Sequence, residues 1–185
     1  MSVLSPTGPD VAATDDGESF RSSLGQLFLL TLLFFMSFMA RIVQAPLMPA
    51  IEKDLNITHA EAGSLFFILS VGYFITLMGS GFVSARITHR WTMALSIACT
   101  GLALLATAAS ESLWQLRAGL FLTGLCAGLY LPSAIAAITG FVSPRHWGKA
   151  IAIHEVAPNL AFVLAPLFAE GLLALYPWKI VLAVL

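Results

Sequence analysis

The chain has 185 residues, 58% of them hydrophobic and 10% charged, with a formal net charge of −1. An ordinary soluble domain carries about 25% charged and under about 50% apolar residues, so this composition excludes one and points to lipid as the solvent. The nine Lys and Arg are scattered and form no basic patch for nucleic acid, and Cys99 and Cys126 stand in apolar runs without metal-ligand spacing, as packing residues do.

In chain order, residues 1–24 open with MSVLSPTGPDVAATDDGESF, which holds Asp10, Asp15, Asp16 and Glu18 and lacks the basic start of a signal peptide. This polar segment is expected to be a disordered cytoplasmic tail, and residues 25–185 a transmembrane bundle. A helix that crosses the hydrocarbon needs about 20 mostly apolar residues. From Leu27 to Ala40 there are only 14 before Arg41, so the first span must continue to about Pro49 with Arg41 inside it. The run from Ala62 to Ala85 is uncharged throughout; Trp91 to Ala109, Leu113 to about Phe141 and Gly148 to Leu173 follow. A sixth run, WKIVLAVL, starts at Trp178 and rises only about 12 Å before the sequence ends. The pattern predicts an all-α membrane protein, a polytopic bundle of five complete transmembrane helices plus a truncated sixth.

Orientation follows from the basic residues. Arg21, then Arg86 and Arg90, then Arg145 and Lys149 fall on one side, while Lys53 and Lys179 fall on the other with Glu52, Asp54, Glu61 and Glu111. The positive-inside rule makes the first side cytoplasmic, with the N-terminus inside. Trp114, Tyr176 and Trp178 stand at outer span ends, as interfacial aromatics do.

An ionisable residue inside a span costs about 2.5–3.5 kcal/mol on insertion scales, so each demands a watery or protein-lined setting. Ser37, Arg41 and Gln44 fall at i−4, i and i+3 and share one helical stripe, which would line a cavity. Paired with a carboxylate, Arg41 would instead be an inter-helix staple. In IHEVAPN, Glu155 and Asn159 share a face about 10 Å up the fifth span, with His154 turned about 100° away. A carboxylate at that depth can exchange a proton, and His154 titrates near neutral pH; alternatively the two satisfy each other or backbone freed by Pro158. Arg117 lies one turn into the fourth span from outside and either snorkels to the headgroups or enters the cavity. Tyr73 would offer a phenol donor. Gly124 and Gly128 form a small-xxx-small face, Gly72, Gly79 and Gly81 thin one side of the second span, and Pro46, Pro49, Pro132, Pro158 and Pro166 give places to bend. No HExxH, nucleophile elbow or acid pair at catalytic spacing is present in the sequence, so an enzyme, a metal and a cofactor are not expected.

The tract GSGFVSARITHRW resembles the cytoplasmic loop signature of the major facilitator superfamily: Gly81, Arg86 and Arg90 match, Ala85 stands where an acid is usual, Thr88 replaces the second glycine, and Trp91 the last base. RAGLFLTGLCAGLYLP is similar to that superfamily's fourth-helix pattern. The resemblance covers about residues 25–185, nearly all of one six-helix half of a twelve-helix transporter in the cell inner membrane. It implies a missing C-terminal half, fused or separate, and assigns Gly81, Arg86 and Arg90 to a gating loop. Arg41, eight residues before Pro49, is similar to the first-helix arginine of the organophosphate antiporters and organic anion symporters. This implies an anion site at Arg41, with Gln44, Tyr73 and Asn159 as further substrate contacts and Glu155 with His154 carrying a coupling proton. FVLAPLFAEG lacks the Gly-x-x-x-Gly-Pro element of the drug-proton antiporters. The rival expectations are an exporter of drugs or neutral solutes and a receptor or assembly subunit that transports nothing.

Overall fold

The computed structural model describes the backbone of residues 9–185 and the side chains from residue 20 onward. Its helices are α1 (Pro9–Ile42), α2 (Gln44–Leu55), α3 (His59–Ala108), α4 (Leu113–Ala127), α5 (Tyr130–Phe141), α6 (Trp147–His154), α7 (Val156–Leu173) and α8 (Trp178–Ala183), with a 3-10 turn over Pro144–His146. α1 begins at Pro9, so residues 9–24 of the segment expected to be disordered have helical backbone. Helix adds a hydrogen bond for each residue it gains once nucleated, and the apolar run from Leu27 supplies the nucleus. Residues 1–8 lie outside the described residues.

Four stretches are long and apolar enough to cross a membrane: Phe20–Leu55, His59–Ala108, Leu113–Phe141 and Pro144–Leu173. The second of these holds two spans. A straight helix of its 50 residues would measure about 75 Å, more than twice the ~30 Å of hydrocarbon. α3 is instead broken at Thr88, which has φ 68° and ψ 155°. A Cβ on Gly124 of α4 would press on Leu69, and one on Gly119 would press on Thr107. Leu69 and Thr107 would be about 57 Å apart on a straight helix, yet they meet α4 within about 7 Å of each other. α3 therefore doubles back at Thr88, and the five complete spans expected from the sequence are all present.

Three other breaks have one cause. Proline lacks an N–H and its ring clashes with the carbonyl four residues earlier. Four residues before Pro46, Pro132 and Pro158 stand Ile42, Gly128 and His154, and there α1, α4 and α6 stop. Pro49 and Pro166 sit inside continuous helix in α2 and α7.

Packing is closest where glycine allows it. A Cβ on Gly124, Gly128 or Gly72 would strike the carbonyl oxygens of Leu69, Tyr73 and Phe121, so the first half of α3 and α4 touch backbone to backbone. Gly79 and Gly81 meet no atom within 4 Å and serve no such contact. α7 turns a buried row, Ala157, Ala161, Ala165 and Ala169, inward, with Ala161 and Ala165 packed beside Met39 of α1. At one end of the bundle Phe20 stacks on His146 at 5.1 Å and Ser23 donates to the Phe141 carbonyl, gathering the basic connections. At the other, the Trp178 indole donates to Asp54 at 3.0 Å and is buried, whereas Trp114 is exposed.

The Thr88 geometry lies in a region that favours glycine and costs other residues about 1–3 kcal/mol. Thr88→Gly should raise the thermal midpoint of the protein in detergent, by the equivalent of about 1–2 kcal/mol. Gly124→Leu should lower it by more than about 2 kcal/mol, because backbone must move. A midpoint unmoved by Thr88→Gly would refute strain at this turn.

Candidate functional site

Arg41 is the penultimate residue of α1, one residue short of the first proline-induced break. Its guanidinium carbon lies 4.5 Å from the ring centre of Phe38 and 4.4 Å from that of Tyr73, so α1 and α3 grip it between aromatic faces. Such contacts contribute about 0.5–2 kcal/mol each, more when desolvated. Its Nε–H is directed at the Ser37 carbonyl at a long 3.5 Å. Among the described residues no carboxylate forms an ion pair with Arg41. Among the described residues the cation is held by rings and by no acid. Phe38 also meets Phe162 of α7 edge-on, with ring centres 5.3 Å apart.

The expected stripe of Ser37, Arg41 and Gln44 does not continue across the break. Gln44 is fully buried, its Nε2 donating back to the Ala40 carbonyl at 3.2 Å, and its Oε1 has no partner among the described residues. Ser37 is buried too, beside Thr100 and Gly101 in a cavity of about 130 Å³. Val43 keeps helical dihedrals at the break, and of the three residues Gln44 and Ser37 are turned inward while Arg41 is half-buried.

The break at Pro158 organises the fifth span. His154 closes α6 and is fully buried. The near-parallel rings of Phe34, His154 and Tyr130 form a cluster, with centres 4.5 Å apart for Phe34 and His154, 5.5 Å for Phe34 and Tyr130 and 6.2 Å for Tyr130 and His154, and the Tyr130 hydroxyl donates to the Leu30 carbonyl at 2.7 Å. His154 Nδ1 lies 3.4 Å from Glu155 Oε1, while its Nε2 has no partner among the described residues. Glu155 sits in the break itself with 43% of its side chain exposed. Asn159, also exposed, donates to the Glu155 carbonyl at 2.9 Å. Glu155, Asn159 and Phe162 thus share an open face of the fifth span, with Arg41 joined to it through Phe38. A carboxylate exposed at such a depth would be costly against lipid, so this face meets water or protein.

The remaining predicted residues stand apart. Arg117 donates from Nη2 to the Ser64 hydroxyl at 3.2 Å and lies 5.0 Å from the Trp114 ring centre, clamping α4 to the start of α3. Arg86 and Arg90 are exposed on either side of the Thr88 turn, and among the described residues neither forms an ion pair with a carboxylate. The ring system of Phe34, Phe38, Tyr130 and Phe162 escaped the sequence reading. Its signal was present, since Phe34, Phe38 and Arg41 recur at i, i+4 and i+7; in an apolar span, however, such phenylalanines look the same as lipid-facing ones.

Residues 30–185 match the family model described as Major Facilitator Superfamily. Among curated proteins, the multidrug efflux protein YfmO of Bacillus subtilis is 33% identical over 77% of this chain and 36% of its own length. The 4-hydroxybenzoate transporter PcaK of Pseudomonas aeruginosa is 26% identical over 70% of this chain and 29% of its own length. The membrane sensor protein UhpC of Salmonella typhimurium is 25% identical over 71% of this chain and 30% of its own length. The chain thus spans about a third of each of these relatives. With its broken apolar spans, its glycine-packed core and a match over most of its length, the chain belongs to the Major Facilitator Superfamily and is an integral, multi-pass membrane protein.

Proposed function

We propose that this chain forms part of a secondary transporter that carries a small organic anion, with Arg41 as the anion-binding group and Glu155 as the group that exchanges the coupling proton. The observation that carries the reading is a guanidinium inside a span, steadied by Phe38 and Tyr73 and paired with no carboxylate among the described residues. A cation there is costly without a counter-charge, and an anionic substrate supplies one in the bound state. Its planar N–H edge suits a carboxylate or phosphate oxygen pair. Alternating access then follows the family's architecture, with a site at the middle of the membrane between rocking bundles.

Glu155 is supported as the proton-exchanging group by its exposure on the open face, whereas His154 beside it is sealed in its ring cluster. Tyr73 contributes to the anion site through its ring, and Asn159 borders the same face. Gln44, turned into the bundle, takes no part. The relative named for 4-hydroxybenzoate, a carboxylate, is in keeping with an anionic cargo. The relative named for multidrug efflux keeps export of hydrophobic cations as the second reading.

In proteoliposomes holding the complete protein, uptake of labelled carboxylates should fall at least tenfold in Arg41→Ala and survive in part in Arg41→Lys, which keeps the charge but loses the fork. Equal uptake by all three proteins, or competition by hydrophobic cations alone, overturns the anion reading. A separate check concerns coupling: Glu155→Gln should abolish uptake driven by a pH gradient while leaving anion exchange at equilibrium intact. Gradient-driven uptake that persists in Glu155→Gln would remove this residue from the proton path.

A further inference from the structure

Resting on the anion reading above, we infer that the Arg41 site selects a planar aromatic monocarboxylate, with Phe38 and Phe162 as the residues that set this specificity. Three features on the open face carry the inference: one available positive charge, an N–H edge as the remaining point of approach, and rings where the body of the ligand must lie.

Charge comes first. Of the two cations within the spans, Arg117 is engaged at the far end of α4 by Ser64 and Trp114, which leaves Arg41 alone at the site. One guanidinium neutralises a monocarboxylate completely. A phosphate monoester, with a charge of about −1.5 to −2 near neutral pH, would keep uncompensated charge in a medium that penalises it.

Geometry comes next. Ring faces of Phe38 and Tyr73 lie 4.5 and 4.4 Å from the guanidinium carbon, so the space above the cation is already taken by carbon. A ligand must approach the N–H edge, close to the guanidinium plane, where a flat carboxylate accepts two parallel hydrogen bonds. A benzoate-like acid is flat from its carboxylate through its ring, so its body continues that plane past the edges of the flanking side chains.

The walls decide the rest. Phe38 is edge-on to Phe162 at 5.3 Å and 69°, and Phe162 is 57% exposed on the face that also carries Glu155 and Asn159. An exposed phenyl ring beside a carboxylate and an amide is available to a second ring in an offset or T-shaped arrangement. A flexible alkyl chain of equal size makes poorer use of these ring faces and loses more conformational freedom on binding.

The test uses the complete protein in proteoliposomes with benzoate, hexanoate and glycerol 3-phosphate as probes. Benzoate should be taken up with a KM at least tenfold below that of hexanoate, and glycerol 3-phosphate should not compete. Phe162→Leu, a half-exposed position where folding is not at stake, should raise the benzoate KM about tenfold and the hexanoate KM less than threefold, with Phe162→Tyr restoring the preference. Phe38→Leu should act in the same direction. Equal KM values for benzoate and hexanoate, a benzoate preference unchanged in Phe162→Leu, or glycerol 3-phosphate as the better competitor each overturns the aromatic assignment and leaves Arg41 as an anion site. Uptake of every probe unaffected by Arg41→Ala overturns both.

Discussion

A proline surrounded by lipid forces its helix to give way four residues earlier, because the ring cannot share space with that carbonyl and offers it no hydrogen bond. In this chain the rule acts at Ile42, Gly128 and His154, and much else follows from where those breaks fall. Arg41 is the neighbour of the first, and Glu155 stands in the third. Freed carbonyls beside them are polar groups that neither lipid nor helix satisfies. A charged side chain placed there joins a region that already requires protein or water around it. Proline thus concentrates the tolerance for polarity at a few depths, and Arg41, His154 and Glu155 occupy two of them.

Around Arg41 the chain compensates the cation with aromatic faces instead of an acid. The difference is thermodynamic: a carboxylate partner would quench the charge permanently, whereas ring quadrupoles steady it and leave its hydrogen-bonding capacity largely unspent. The fifth span does the opposite with its own pair. His154 is walled in by Phe34 and Tyr130, while Glu155, one residue on, faces outward. The two ionisable centres are linked along α1, where Phe34 and Phe38 touch edge-on at 6.0 Å.

Much of this was legible from residue order, because lipid imposes a length and a polarity on every span. The five spans, their ends, and Arg41, Glu155 and Asn159 as intramembrane polar groups come directly from runs of apolar residues and their interruptions. The face shared by Glu155 and Asn159 also follows from simple periodicity, since Glu155 at the break keeps αR dihedrals and caps the helix that carries Asn159. The full burial of Gln44 was not legible, since it depends on which neighbours pack against α2. The ring clamp on Arg41 was not legible, as it joins residues from different spans whose pairing depends on tertiary packing. The helical start at Pro9 was hidden for another reason: composition reports what a segment can bury, and a helix extended from a stable neighbour needs little burial of its own. Thr88 is the reverse case, a position where glycine is usual and where the backbone shows why.

The contact of α4 with both halves of α3 has a mechanical result. Where main chains touch through Gly72, Gly124 and Gly128, no layer of side chains separates the second and fourth spans, and Thr107 of the third span is seated directly on Gly119, so the three form a single slab. The first and fifth spans are jointed rods laid against that slab, each with a proline hinge partway along. Arg41 and Glu155 stand at the joints of those rods, whereas Tyr73, beside the Gly128 contact, belongs to the slab.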